Sequence, residues 1–233
     1  MGENFTDALM KSSLFKGISR EELPAMLHCL QPRQRSYRKG EYMAMAGEPL
    51  EGIGLILAGK AAVIKEGPGG ERVVMSILYP GDLFGEIAAF AEKPLWPATV
   101  QAQAAAVAAF LPRERIAGSC ARSCRHHYHL INNMLRIVSE KALMLNQKVK
   151  YLAIKSMRGR ISAFLLDQYR QEKKNTFTLP LNRNEMADFL SVSRPSLSRE
   201  ISRMKKEGII DYHLATFRLL NLEALARAAW EPY

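Results

Sequence analysis

The side chains best suited to binding another molecule are concentrated between residues 193 and 206, in the sequence SRPSLSREISRMKK. An arginine can donate two hydrogen bonds to the O6 and N7 atoms of a guanine, and serine hydroxyls can bond phosphate oxygens or base edges. The candidate contact residues in this stretch are Arg194, Pro195, Ser196, Ser198, Arg199 and Ser202. Their chemistry is that of nucleic-acid recognition.

Two short helices are predicted to position this set. Asn182 followed three residues later by Glu185 has the spacing of a capping box, so one helix begins there. Ser193 can cap a second helix, because Pro195 is tolerated in a first turn where its missing N–H would be unpaired anyway. Gly208 then ends that helix, so the second helix covers residues 193–207.

The second helix is predicted to be two-faced. At 100° per residue, Leu197, Ile201 and Met204 share one stripe and leave the arginines on the other side. Two short helices joined by a tight turn, the second of them basic, are typical of a helix-turn-helix whose recognition helix enters the major groove. The β-prone sequence IIDYHLATFRLLN follows and predicts a wing, with Arg218 placed to meet a phosphate.

The first half of the chain has a different pattern. Between Gly40 and Leu111, short β-prone runs such as GLIL, AAVI and VVMSIL alternate with turn sequences such as AGEPLEG and YPGD. Evenly spaced short strands indicate a β-barrel or sandwich. The sequence GPGG at residues 67–70 tolerates positive φ and predicts a hairpin tip.

A long amphipathic helix is predicted between these halves. No glycine or proline occurs from Ser123 to Tyr151, and apolar residues recur there at intervals of three and four. Such a helix is longer than a small barrel can cover, so a second copy of it is the simplest partner for its apolar stripe. The following IKSMRG is a candidate hinge, because Gly159 weakens helix.

Composition limits the partners and the compartment. The 33 lysines and arginines against 23 aspartates and glutamates give a net charge of +10, which favours an acidic polymer or an anionic surface as partner. The longest apolar run, Ala104 to Leu111, has eight residues, and a bilayer-spanning helix needs about 20. Three cysteines cannot all pair within one chain, and no secretory signal pattern is present, so we expect a cytoplasmic protein without a membrane partner.

The chain resembles the Crp/Fnr family of bacterial transcription regulators over nearly its whole length. The segments that carry this resemblance are YPGDLFGE, the long helix, MRGRI and SVSRPSLSREISRMKKEGII. The resemblance implies an α+β fold: an N-terminal double-stranded β-roll of the cyclic-nucleotide-binding type (1–122), a long dimerisation helix (123–154) and a C-terminal winged helix-turn-helix (155–233). It further implies a homodimer that binds a palindromic site on double-stranded DNA, is controlled allosterically by an effector in the β-roll and works with RNA polymerase.

Within this resemblance, Arg194 and Arg199 match the two recognition-helix arginines of the cAMP-receptor branch. Pro195 stands where that branch has a glutamate. Since proline cannot accept a hydrogen bond from a cytosine amino group, we expect a different half-site sequence.

The residues that would hold an effector also depart from the cAMP-binding pattern. In those members a Gly-Glu pair opens the phosphate-binding segment and an Arg-Ser pair ten residues later clamps the phosphate. Gly85 and Glu86 match the first pair, but Trp96 and Pro97 replace the second. Each lost charge-assisted hydrogen bond is worth about 1.5–3 kcal/mol, so the effector is predicted not to be cAMP.

The positions that resemble nucleobase contacts are Leu145 and Asn146, which complete the predicted effector site. Two interpretations stay open. Either the pocket takes a small apolar or aromatic effector, as in the halogenated-aromatic sensors of the family, or Trp96 and Leu145 fill an unused pocket.

Redox chemistry is the alternative within the same family. The iron–sulfur branch needs four cysteines with an N-terminal cluster, and Cys29 stands alone there. A second group of candidate ligands comprises Cys120, Cys124, His126, His127 and His129. These residues could ligate zinc or haem iron, or the cysteines could act as a thiol switch. No metal or cofactor is assigned from the sequence, and a haem- or thiol-based sensor remains an alternative.

Two other functional classes are disfavoured. No nucleophile with a base and no carboxylate pair occurs in motif form, so the chain is not predicted to be an enzyme. A cyclic-nucleotide-binding regulatory subunit that acts by protein contact would need no recognition helix and would keep the arginine that clamps the phosphate. This chain has a predicted recognition helix and lacks that arginine, so both features disfavour this class.

Overall fold

The computed structural model of the protein describes residues 3–67, 69, 71–118 and 125–229. The chain forms two compact units, 1–140 and 141–233. This division reflects contacts within the folded chain and does not test the predicted domain limits at 122 and 154, which stay predictions.

The first unit begins with two helices, α1 (Glu3–Lys11) and α2 (Leu23–Leu30), separated by a 3-10 turn. Its strands are β1 (Arg33–Tyr37), β2 (Tyr42–Ala44), β3 (Gly52–Ala58), β4 (Ala61–Glu66), β5 (Arg72–Leu78), β6 (Leu83–Phe84), β7 (Thr99–Ala102) and β8 (Ala106–Pro112). The short helix α3 (Arg113–Ala117) follows β8.

These strands form two antiparallel sheets, with the strand orders β1-β8-β3-β6 and β2-β7-β4-β5. The apolar run GLIL lies in β3, which is buried at every position but its last. Gly54 is needed there because the ring of Phe84 occupies the space a Cβ would take. The two sheets therefore enclose one core, as the β-roll prediction requires.

The predicted hairpin at GPGG is confirmed by its flanking strands. β4 and β5 pair antiparallel, with Glu66 opposite Arg72. Residues 68 and 70 of the tip lie outside the described residues.

The predicted long helix is also confirmed, as α4 (Arg125–Ala153). Its first half packs on the first unit through Leu130, Met134 and Ile137, which are all buried. The side-chain amide of Asn133 donates hydrogen bonds to the carbonyl oxygens of Leu14 and Lys16, at 2.9 and 2.7 Å. No helix in the described ranges is both long enough and apolar enough to cross a membrane.

The second unit continues with α5 (Met157–Glu172), β9 (Thr176–Thr178), α6 (Arg183–Phe189), α7 (Arg194–Lys206), β10 (Ile210–His213), β11 (Thr216–Leu219) and α8 (Leu222–Ala229). The three strands pair in the order β10-β11-β9. The unit has its own core, to which Phe164, Leu197 and Phe217 contribute. The fold is thus α+β throughout, with a β-sheet domain, a long helix and a C-terminal helix-turn-helix domain.

The predicted interruption of helix within IKSMRG is confirmed, but Gly159 is not its cause. The break between α4 and α5 lies at residues 154–156, and Gly159 is a buried residue inside α5. Ser156 caps α5 by accepting a hydrogen bond from the Gly159 N–H at 2.9 Å. A Cβ at position 159 would lie 2.8 Å from the carbonyl oxygen of Ala228, so the glycine allows α8 to approach α5 closely.

Candidate nucleic-acid interface and effector site

The first helix of the candidate interface starts at the predicted capping box. The Asn182 side-chain oxygen accepts hydrogen bonds from the backbone N–H groups of Asn184 and Glu185, at 2.9 and 3.1 Å. The Glu185 carboxylate accepts one in return from the Asn182 N–H at 2.7 Å. This reciprocal pair fixes where α6 begins.

A tight turn then leads into α7. Ser191 takes the left-handed conformation at φ 52°, and the Val192 N–H donates to the carbonyl of Ala187 at 3.0 Å, which closes α6. Ser193 caps α7 by accepting from the Ser196 N–H at 3.3 Å, and Pro195 sits in the first turn. The predicted cap and end of the second helix are both confirmed.

The two faces of α7 are as different as predicted. Leu197, Ile201 and Met204 are completely buried. Arg194, Pro195 and Arg199 are exposed, and Ser196, Ser198 and Ser202 are half-buried. The six predicted contact residues therefore lie on one short helix, on and around its exposed side.

Several of these side chains already have partners. Arg199 donates to the Ser196 hydroxyl at 3.1 Å, and the Ser193 and Ser196 hydroxyls are 2.8 Å apart. The Ser202 hydroxyl lies 3.2 Å from that of Tyr212 and so joins α7 to the wing. Ser196 is thus placed to orient Arg199, whereas Ser202 has a structural contact.

The wing is the hairpin of β10 and β11, with His213 opposite Thr216. Leu214 at its tip is 80% exposed and has a φ of 53°. Arg218 is exposed on β11. A cleft of about 410 Å³ separates the wing tip from the start of α7, with Asn182, Arg194 and Ser198 among its lining residues.

Arg183 supports this wing, a role that the sequence did not reveal. Its guanidinium lies 5.2 Å from the ring centres of both Tyr212 and Phe217 and donates to the Leu214 carbonyl oxygen at 3.2 Å. Burial against these rings lowers the pKa of Arg183. The first residue of α6 thereby holds the wing tip in place.

An ion-pair cluster lies behind α7 and was also missed. Arg158, in the first turn of α5, donates to Glu200 at 2.6 Å and to both carboxylate oxygens of Glu207 at 2.7 and 2.9 Å. Glu200 is buried and also accepts from Arg203 at 3.1 Å. These hydrogen bonds lower the pKa of Glu207 and raise that of Arg158. The spacing of Glu200 and Glu207, two helical turns, is visible in the sequence, but their partner is not.

In the first unit, a side chain of the protein itself occupies the space beside the Gly-Glu turn at residues 85 and 86. Gly85 has a φ of 83°, and the Trp96 ring occupies the space where a Cβ would be. Trp96 is only 7% exposed, and its ring centre lies 5.7 Å from that of Phe84. Trp96 therefore belongs to the core of the roll.

The other predicted effector residues are less closely grouped. Glu86 is buried, whereas Pro97 is exposed. Leu145 is 64% exposed, and both it and Asn146 lie on the part of α4 that belongs to the second unit. Only Gly85, Glu86, Trp96 and Pro97 are brought together within one unit.

The predicted redox or metal cluster lies largely outside the described residues. This applies to Cys120, Cys124 and the side chain of His126. His127 Nε2 is 2.6 Å from the carbonyl oxygen of Arg115, and Cys29 is half-buried. Within the described ranges no group of three histidine, cysteine or acidic side chains is arranged to hold a metal ion. The haem, zinc and thiol alternatives stay untested.

Comparison with known families decides the kind of protein that carries this interface. Residues 34–123 match the family model of the cyclic nucleotide-binding domain, and residues 159–228 match that of the Crp-like helix-turn-helix domain. The chain belongs to the Crp/Fnr family of transcriptional regulators.

Named relatives span nearly the same length. The chain is 22% identical over 229 residues to a CRP-like cAMP-activated global transcriptional regulator of Mycobacterium tuberculosis, covering 96% of this chain and 99% of the relative. It is 24% identical to the transcriptional activator protein FnrA of Stutzerimonas stutzeri, covering 84% and 80%.

The fold of this Crp/Fnr member is also found in a solved structure. The catabolite activator protein of Thermus thermophilus superposes with a TM-score of 0.54 at 22% identity, covering 94% of this chain and 99% of that one. The two family-model matches, together with the named relatives, identify the protein as a Crp/Fnr-like DNA-binding transcriptional regulator with an effector-binding domain.

Proposed function

We propose that the protein is a homodimer that binds a two-fold symmetric DNA site by inserting one α7 helix of each copy into the major groove. The division of α7 into a fully buried apolar face and an exposed face carrying Arg194 and Arg199 supports this proposal most strongly. An exposed arginine near the start of such a helix can reach guanine O6 and N7.

The proposed dimer rests on α4. Seven large apolar side chains of this helix are at least 42% exposed: Tyr128, Leu135, Leu143, Met144, Leu145, Val149 and Leu152. Leu145, Val149 and Leu152 follow one another at intervals of four and three, which is the spacing of a coiled-coil seam. A second α4 would bury this stripe.

Two exposed side chains on and near α7 are proposed to have further roles. Arg218 is exposed on the wing and is suited to a phosphate, which positions the protein without reading sequence. Pro195 is exposed between the two arginines and offers only an apolar surface, so we expect it to favour a thymine methyl over a cytosine amino group. RNA polymerase would be the partner that converts DNA binding into control of transcription.

We propose that cAMP does not bind at the Gly85 turn of the β-roll. A cyclic phosphate needs a cation and free N–H groups at the Gly85 turn, and this turn meets the apolar ring of Trp96 instead. Of the two interpretations of the pocket, the buried position of Trp96 supports the filled one. Calorimetric titration with cAMP should give no binding heat, and micromolar binding would contradict the proposal.

Arg199→Ala tests the proposed recognition. We would first select duplexes from a randomised pool and then measure anisotropy for a selected and a scrambled duplex. Arg199→Ala should reduce the ratio of the two affinities by about tenfold or more, since one lost base contact is worth about 1–3 kcal/mol. Arg227→Ala in α8 removes the same charge from a helix that packs on α5, and it should leave the ratio unchanged.

Salt dependence gives a second readout from the same measurements. Binding of both duplexes should weaken steeply as salt rises, because lysine and arginine contacts release counterions from the phosphates. If the wild-type protein binds selected and scrambled duplexes equally, or if Arg199→Ala keeps the full ratio, the proposal is wrong.

A further inference from the structure

The start of α5 makes contact with the recognition helix at two places. Arg158 reaches Glu200 in the middle of α7 and Glu207 at its C-terminal cap, seven residues or two helical turns apart. Both carboxylates lie on the side of α7 turned towards α5. One guanidinium therefore links two points along α7 to the start of α5.

The geometry makes Arg158 suited to this task in a way that a lysine is not. Nε of Arg158 bonds Glu200, while Nη1 and Nη2 bond the two oxygens of Glu207, at 2.6, 2.7 and 2.9 Å. The planar guanidinium presents these donors in a fixed fork, whereas a lysine ammonium is a single point of charge. Only the fork can hold both carboxylates in a defined relative position.

Burial makes the contact between Arg158 and Glu200 sensitive to substitution of either residue. The side chain of Glu200 is 10% exposed and that of Arg158 is 30% exposed. Removing Arg158 takes away the less exposed cation beside the Glu200 carboxylate and leaves it paired with the 67% exposed Arg203, so the surrounding elements shift to rehydrate that carboxylate or pair it again. Arg203 also pairs with Glu200, but it lies on α7 itself and cannot fix that helix relative to α5.

The consequence falls on the exposed side of the same helix. Glu200 follows directly after Arg199, whose guanidinium donates to the Ser196 hydroxyl within α7. Base-edge hydrogen bonds depend on the position of the arginine to within fractions of an ångström, and a small rotation of α7 would misplace Arg199. Phosphate contacts tolerate such a shift better, since they depend mainly on charge.

We propose that Arg158 is a positioning residue for base recognition: through Glu200 and Glu207 it sets the orientation of α7, and thereby the sequence preference of the protein. This role rests on the proposed function, since it requires that α7 reads bases. In this proposal Arg158 acts on base recognition through α7 rather than by touching a base.

The test compares three substitutions in the full-length protein. Arg158→Gln removes the charge and the fork, Arg158→Lys keeps the charge, and Glu207→Gln weakens one arm at an exposed position. Arg170→Gln is the matched control, because Arg170 also lies on α5 and pairs with a buried carboxylate, that of Asp167 at 3.0 Å, without touching α7. Each variant is measured by anisotropy on the selected duplex, a single-base variant of it at the site read by Arg199, and a scrambled duplex.

Arg158→Gln and Arg158→Lys should both lower the preference for the selected duplex over its single-base variant by about tenfold, the value of one base contact. Glu207→Gln should lower this preference by a smaller factor. Affinity for the scrambled duplex should change by the same small factor in Arg158→Gln and Arg170→Gln, which lose the same charge. A merely structural role would weaken binding to all three duplexes together.

The possible results distinguish failure of this proposal from failure of the proposed function. If Arg158→Gln and Arg158→Lys keep the wild-type preference, or lose no more of it than Arg170→Gln, the proposal is overturned. If Arg158→Gln does not fold, Arg158→Lys and Glu207→Gln decide the question by the same criterion. If the wild-type protein has no base preference, the proposed function has failed instead.

Discussion

Trp96 is the residue whose position most changes the interpretation of the sequence. Its place in the chain indicated the loss of a phosphate clamp, but not where its ring would go. In the structure the ring is buried against Gly85 and Phe84. The substitution therefore removes a charge and also fills the space above the glycine turn. Burial of this kind depends on the surrounding sheets, so the identity of the residue alone left both a filled pocket and a ligand-binding pocket open.

Gly85→Ala should destabilise the first unit more than Gly40→Ala. Both glycines have positive φ, at 83° and 90°, so either alanine introduces backbone strain of about 1 kcal/mol or more. Gly40 has open space around its Cβ position, whereas the Trp96 ring blocks that of Gly85. Overpacking should add about 1–3 kcal/mol to the loss of unfolding free energy, measured by denaturant titration.

Equal losses in the two variants would show that the Trp96 ring can move aside easily. In that case the Gly85 turn would be open to a ligand after all.

Among the elements, α6 and α7 were the best predicted, because short-range chemistry decides their limits. Asn182 with Glu185, Ser193 with Pro195 and the final glycine each act within one helical turn, and all were confirmed. Arg158 and Arg183 could not be found in this way. Their partners lie 42 and 31 residues away in sequence, so only the folded chain brings them together.

Both the length of α4 and an apolar stripe suited to pairing two copies of it were predicted from the sequence, whereas an effector role of Leu145 stays a prediction. Leu145 was assigned to the effector site by resemblance, and the structure places it on an exposed apolar stripe. Its regular spacing with Val149 and Leu152 favours a role in pairing two copies of α4.

Leu145→Glu should therefore shift the protein from dimer to monomer. A charge in the middle of the seam would have to be desolvated opposite its own copy. Asn146→Glu is the matched control, since it adds the same charge at the neighbouring exposed position beside the stripe. Light scattering after gel filtration measures the mass. A dimer that persists in Leu145→Glu at micromolar concentration would contradict the α4 pairing.

At the scale of the whole molecule, the chain combines two units that were each predictable from local pattern. The β-rich first half and the capped helices of the second half follow from turn residues and periodicity. The boundary between the units was not predictable, because it falls at residue 140, inside an uninterrupted helix. Helix propensity carries no information about which residues of α4 pack with which unit.

The central claim is that two copies of α7 read one symmetric site, and hydroxyl-radical footprinting on a selected duplex tests it most directly. Two equivalent protected regions should appear, related by two-fold symmetry and about one helical turn, or 34 Å, apart. Both should fade in Arg199→Ala as the preference for the site is lost. A single protected region, or protection spread evenly over any duplex, would contradict the account.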